Sequence, residues 1–275
     1  MSVVKAVFPF LFGAVLGAAQ SNGVDVQDII RKSVAATEAN WKEAPKYGFI
    51  ERDVESRKDS PKTVKSYQVL MIEGSPYNKL IAVNDRPLSK MEAQVEQEKL
   101  QSAIWSRQHE RAHERARRIN AYRKERDHDH AMMQEMAAAF SFKLTGETKL
   151  DGHDVYEFAA TPKPGYVPPN RDAKVLTGMK GTLWIDKATY QWVKVEAEVI
   201  RPVNFYGFIA KVGPGTRFEL EQEPIAGSLW MPKHFASRVY ATAFGFINEN
   251  SLDDETYRDY QPLKNWESGA GSLHR

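Results

Sequence analysis

The sequence predicts a mainly β fold: a strongly curved antiparallel sheet, or incomplete barrel, of about ten strands, with an N-terminal helix and one long charged helical insertion. Three observations predict it. Apolar and polar residues alternate at period two in runs on both sides of the chain's middle. After Phe140 only short turn signals separate those runs, which makes a meander and leaves no room for helical crossovers. Residues 89–139 break the period with a stretch rich in Arg, Glu and His.

The chain has 275 residues, 42% of them apolar and 27% charged, which is enough for one large β domain with a sizeable core. Its net charge of +2 is too near neutral to suggest nucleic acid as a partner. The absence of cysteine excludes disulfides, thiol catalysis and thiolate metal sites.

Lys5, the apolar run Ala6 to Leu16 and the small residues Gly17-Ala18-Ala19 have the order of a secretory signal peptide. The run is shorter than the roughly 20 residues of a bilayer span. Residues 1–19 are therefore expected to be removed, leaving 20–275 as a single exported domain. In a Gram-negative setting its compartment is the periplasm.

From Val26 to Asn40, Val26, Ile29, Ile30, Val34 and Ala35 sit near helical spacing, with Pro45 as a stop. Strands follow around Tyr47 and Phe49, then around Tyr67, Val69 and Met71, with a turn at Gly74-Ser75-Pro76 before Lys79 to Val83. Ser89 followed by Glu92 is a capping box, so a helix is expected from Lys90 to about Ala139, with a break near Asp127 to His130.

Phe140, Phe142 and Leu144 restart the alternation, and Asp151-Gly152 marks a tight hairpin before Tyr156, Phe158 and Ala160. Four prolines between Pro162 and Asn170 make a rim or lid loop. Residues 181–186 and 190–200 form the clearest hairpin. Its second arm is expected to put Val193, Val195, Ala197 and Val199 on one face and Trp192, Lys194, Glu196 and Glu198 on the other. Phe218 and Leu220, the turn at Ala226-Gly227, a run over residues 235–246 and Tyr257 to Tyr260 complete the sheet.

His109-Glu110-Arg111-Ala112-His113 satisfies H-E-x-x-H, in which two histidines one helical turn apart hold zinc and the glutamate activates water. Glu135 is the available distal ligand. Against a zinc site, residues 106–118 contain no large apolar side chain, and Arg111 sits between the histidines. Asp127-His128-Asp129-His130 is a second metal-type cluster or an exposed kink.

Residues 107–126 hold eight basic side chains against three acidic, a pattern for anionic head groups or for a salt-bridge-laced exposed helix. No esterase elbow, phosphate loop or dinucleotide loop is present. No cofactor and no catalytic residue is therefore assigned.

The hairpin Gly181-Thr182-Leu183-Trp184-Ile185-Asp186 to Tyr190-Gln191-Trp192-Val193-Lys194-Val195-Glu196 resembles the outer-membrane lipoprotein-sorting (LolA-like) group. Residues 67–76 and 150–156 are similar in style to that group's poorly characterised branch. The resemblance covers about residues 26–260 and implies an incomplete curved barrel capped by helices that shelters acyl chains. Glu73-Gly74-Ser75-Pro76 stands where the classical carriers have a Gly-x-Leu…Arg-Pro stretch, so no latch arginine is assigned.

The function this implies is non-enzymatic binding of a lipid or lipoprotein acyl chain. Val69, Met71, Phe142, Phe158, Trp184, Val193, Val195, Phe218 and Leu220 are the candidate lining of an apolar concavity, and the membrane surface or envelope proteins are further partners. Two alternatives stay open: an envelope sensor or interaction module with a filled core, and a zinc hydrolase using His109 and His113.

Overall fold

Asp25 accepts a hydrogen bond from the Asp28 N–H and so opens helix α1 (Val26–Glu43). Along its buried side lie Ile29, Ser33, Thr37 and Asn40. The hydroxyls of Ser33 and Thr37 donate to the carbonyls of Ile30 and Ser33, so these small polar residues pack without losing a partner. The computed structural model describes residues 24–57, 61–205, 210–244 and 247–263. The expected signal segment lies outside them, and no described helix is long and apolar enough to cross a membrane.

Thirteen antiparallel strands form one sheet: β1 (Tyr47–Arg57), β2 (Thr63–Ile72), β3 (Ser75–Val83), β4 (Arg86–Pro87), β5 (Phe140–Leu150), β6 (His153–Pro162), β7 (Met179–Asp186), β8 (Trp192–Val199), β9 (Val203–Phe205), β10 (Ala210–Val212), β11 (Arg217–Ala226), β12 (Leu229–Ala243) and β13 (Ile247–Pro262). The order is β4-β3-β2-β1-β13-β12-β11-β8-β7-β6-β5, with β9 and β10 on the flank of β12. The path ends at β4 and β5 without closing into a barrel. The count exceeds the expected ten because β4, β9 and β10 are two or three residues long, too short to show a period.

Asp151 and Gly152, both at positive φ, make the tight β5–β6 turn that the Asp-Gly pair predicts. In β8 the alternation departs from expectation. A register shift at Trp184/Ile185 pairs Ile185 with Trp192 and Trp184 with Lys194, leaving Val193 as the extra residue. Trp192 thus joins Val195 in the core with Phe158 and Leu183, whereas Val193 packs with Val155 and Trp230.

The insertion is two helices, α2 (Lys90–Gln108) and α3 (Ala112–Ala139). The capping box is formed by Ser89 and Glu92 as expected. The break, however, falls at residues 109–111 instead of at Asp127 to His130. His109 ends α2, and Arg111, with extended backbone, starts α3 by donating its N–H to Glu114. Asp127 to His130 remain helical although they are weak helix formers, because His130 is held on Glu38 and Trp41 of α1.

At 28 residues α3 is about 42 Å long, and it ties together the two ends of the open sheet. Near its start Ile119 lies against Gly74 in the β2–β3 turn. At its other end Met132 and Met136 pack with Phe140, Leu176 and Met179. In between, His130 donates to the Glu38 carboxylate at 2.6 Å and stacks on Trp41, which Arg126 also covers. Helix α1 is held in this way between α3 and the sheet.

Candidate functional site

Cross-strand partners share a face of a sheet, so the register defines the helix-bearing wall. One row across it reads Leu144, Phe158, Leu183, Val195, Leu220, Phe235, Glu255, Asp53 and Lys65. The wall is apolar under α1 and α3 and turns acidic at β13 and β1. On those two strands Glu51, Asp53, Glu55, Asp253 and Glu255 share the face, with Asp53 opposite Glu255 and Glu55 opposite Asp253.

Burial pushes the Glu51 carboxyl up to about 7, helped by Glu255 and Asp53. Asp53 and Glu255 are also raised, chiefly by burial and then by their acidic neighbours, against which Glu255 gains a hydrogen bond from Tyr257 and Asp53 the nearby Lys65. Tyr257 and Tyr260 are raised by burial, and Phe49 packs on both rings.

Side chains of α1 and α3 pack into the apolar part of the hollow. A cavity of about 40 Å³ remains between Ile30, Val34, Met136, Phe142, Leu183 and Trp192, about the space of a single water. Met133 and Met136 of α3 and Val26, Ile29 and Ile30 of α1 pack into the cluster built on Phe158, Leu183, Ile185 and Trp192.

Of the residues nominated from sequence, Phe142, Phe158 and Val195 meet in these clusters, and Phe218 joins their margin. Leu220 stands beside Val195. Val69 and Met71 share the face but lie on β2, beyond the acidic strands. Trp184 and Val193 are on the opposite face with Val155 and Trp230. The acidic patch itself escaped notice in the sequence, because Glu51-x-Asp53-x-Glu55 reads as the wet side of an ordinary strand and its distant partner strand is β13.

The zinc constellation does not assemble. His109 closes α2 and stacks on Trp105, while exposed His113 sits in α3 beyond the break. Glu110 is paired with Arg118 at 2.7 Å, a hydrogen bond that holds its carboxyl below the usual range. Glu135 is about 33 Å farther along α3 from His113, beside Tyr166, whose phenol burial raises. Nor does residues 127–130 gather ligands: Asp127 and Asp129 are exposed, His130 turns inward to Glu38, and His128 faces Asp172 at 3.7 Å.

The basic segment is largely used internally. Arg107 donates to the carbonyls of Ile72, Ser75 and Pro76, and Arg118 to those of Glu73 and to the Ser75 hydroxyl. These two arginines clamp the β2–β3 turn against the helices.

The opposite, open face carries a groove of about 830 Å³ crossing β6, β7, β8, β11, β12 and β13. Ala159 and Ala236, which share a cross-strand row with Thr182, Glu196 and Glu219, put small side chains on its floor, and Gly181 lines it with backbone. A Cβ at Gly181 would lie 2.5 Å from the Glu196 carbonyl, so glycine is required for this close strand approach. Among the described residues Glu219, Glu221 and His234 are the one group spaced for a metal. Lys194 already lies among them, 2.6 Å from Glu219 and 3.3 Å from Glu221. Burial opposes its charge, but hydrogen bonds to Glu219 and Glu196 outweigh that and raise its pKa.

The chain is thus an open antiparallel sheet with helices packed on one face and a charged groove on the other. No family model matches the chain, and no curated protein matches it. Solved structures do. One is a LolA superfamily protein from Nitrosomonas europaea, at 11% identity over 86% of this chain and 92% of that one, with a TM-score of 0.32. Another is a putative outer membrane lipoprotein-sorting protein domain from Vibrio parahaemolyticus, at 10% identity over 88% and 98%, also with a TM-score of 0.32. A third is the Pseudomonas aeruginosa MucA/MucB complex, at 11% identity over 86% and 98%, with a TM-score of 0.22. The first two carry the name of the group that the β7–β8 hairpin resembles.

Proposed function

We propose that this protein is a non-enzymatic binding module of the cell envelope that engages a protein partner, its own helices occupying the hollow in which a carrier of this kind of fold would hold an acyl chain. One observation carries the reading: the apolar cavity between α1, α3 and the sheet measures about 40 Å³, against the several hundred Å³ of a ligand pocket. The placement in the envelope rests on the signal-like residues 5–19 alone.

Native mass spectrometry of the purified chain tests this. The expected result is the bare protein mass, before and after incubation with a mixture of fatty acids and lysophospholipids. A stoichiometric acyl adduct would overturn it.

A second reading, a gated carrier of a lipid or lipoprotein acyl chain, is favoured by the makeup of the plug. Its α3 side is methionine, the most adaptable apolar side chain, and α3 is held to α1 mainly by polar contacts. In that case Phe142, Phe158 and Val195 would line the space opened by an outward swing of α3, with Phe218 and Leu220 extending it.

A further inference from the structure

We propose that helix α2 is the interface of a reversible homodimer, in which two copies of this chain pair antiparallel along its exposed side. This goes beyond the partner-binding reading and does not depend on it. Met91, Val95 and Trp105, all on α2, are large apolar side chains left 77%, 45% and 64% exposed. With Glu98, Ser102 and His109 they recur at alternating intervals of four and three residues, the spacing of a coiled-coil seam. All six seam residues are exposed, and His109 stacks on Trp105. The other side of α2 carries buried Leu100 and the Arg107 that clamps the β2–β3 turn.

The seam is its own complement. A two-fold axis near residue 100 sets Trp105 against Val95 of the second copy, His109 against Met91, and Ser102 against Glu98. The aromatic end of one helix thus covers the aliphatic end of the other, with a methionine sulfur beside a ring. The Ser102 hydroxyl gains a carboxylate to which it can donate. A parallel pair would oppose tryptophan to tryptophan and Glu98 to Glu98.

The flanks select a second copy over a charged partner. One flank is Gln94, Gln101 and Gln108, all exposed. The same axis brings Gln101 to its own copy and Gln94 to Gln108, and an amide, donor and acceptor at once, pairs with another amide. On the other flank Lys99 meets its own copy, but Glu96 already holds each ammonium at 2.6 Å. A bilayer fits the stripe poorly, because Glu98 sits at its middle and a carboxylate is costly in hydrocarbon. A contact of about 28 Å by about 10 Å stays well below the roughly 800 Å² that each partner gives to a standard interface, so the dimer dissociates on dilution.

Sedimentation velocity of the full chain from about 1 to about 200 μM tests this. The expected result is a monomer that passes into dimer across that range. Val95→Glu/Trp105→Glu should weaken association about tenfold or more, with circular dichroism confirming the fold. Gln101→Glu and Gln101→Lys leave the apolar seam intact and set like charges together at the axis. Each alone should associate more weakly than the natural chain, and their equimolar mixture more tightly than either. A monomer at every concentration, a dimer undiminished by the seam substitutions, or a mixture no tighter than its components would each overturn the proposal. Monomer throughout, with Trp105-dependent sedimentation on phosphatidylglycerol vesicles, would overturn it in favour of a membrane. An acyl adduct in the native mass spectrum would instead refute the filled hollow and leave this interface untouched.

Discussion

Replacing Glu51 by Gln should stabilise the protein at alkaline pH and leave it unchanged in acid. The carboxyl lies half-buried on β1, with Asp53 on its own strand and Glu255 across on β13. Its pKa rises from the ordinary 4.5 to about 7, first through burial and then through those two neighbours. A folded-state pKa above the unfolded one means that ionisation is disfavoured in the native protein. Below about pH 4 the group is protonated in both states and contributes nothing. As pH rises from 4.5 to 7 the penalty grows, and above 7 it is complete.

At about 1.4 kcal/mol per pH unit the full penalty is about 3 kcal/mol. Partial solvent access for a half-buried side chain reduces this to about 1–2 kcal/mol. Urea unfolding followed by tryptophan fluorescence at pH 4, 6 and 8.5 reads the difference between the two proteins. Glutamine keeps the shape and removes the charge, so the two stability curves should coincide at pH 4 and separate by pH 8.5. Parallel curves would refute the account of the β1–β13 seam, as would greater stability of the natural protein at pH 8.5.

Further outcomes follow from the clamp, the plug and the polar core. Arg118→Met should lower stability by about 2–3 kcal/mol, since it frees Glu110 and removes charge-assisted bonds to the Glu73 carbonyl and Ser75; hydrogen exchange should quicken first at the β2–β3 turn. Met136→Ala should cost about 2 kcal/mol and enlarge the apolar cavity, and in the gated-carrier reading alone it should gain dodecyl-chain binding in the native mass spectrum. Asn40→Ala should cost about 2–3 kcal/mol in thermal unfolding, because the buried Gln191 side chain and the Trp230 N–H lose their partner. His109→Ala should leave metal content by elemental analysis unchanged, since His109 and His113 belong to different helices.

The strands were legible wherever a long period-two run met a turn residue, as at Leu183 to Asp186 and at Asp151-Gly152. Local pattern failed where one residue of slippage decided the outcome. The bulge beside Trp184 turns Val193 to the opposite face, where it is buried against Val155 and Trp230, and Trp192 towards the helices, and no composition rule marks it. The helix break was misplaced for a related reason. Asp127 to His130 look unfavourable by propensity, yet His130 is anchored on Trp41 and Glu38 of α1, and tertiary contact overrides propensity. The acidic seam is still less visible, because it is assembled from strands distant in sequence.

The two faces of the sheet divide the work, and the division follows from how the helices are tied down. Because the sheet does not close, its ends at β4 and β5 need a strut, and α3 is long enough to be one. A strut that spans the hollow must cross both its apolar and its acidic parts. Its inward side therefore changes from arginine at residues 115 and 118 through Tyr122 and Arg126 to methionine at 133 and 136. The methionines complete a core, and a helix anchored at both ends gives that core little freedom to admit a ligand. Among the described residues no helix covers the open face, and its groove holds cations and carboxylates side by side, Lys180, Arg217 and Arg238 with Glu196, Glu198, Glu219 and Asp254. If the protein holds a partner without rearranging, the open face is where the physical conditions for it are met.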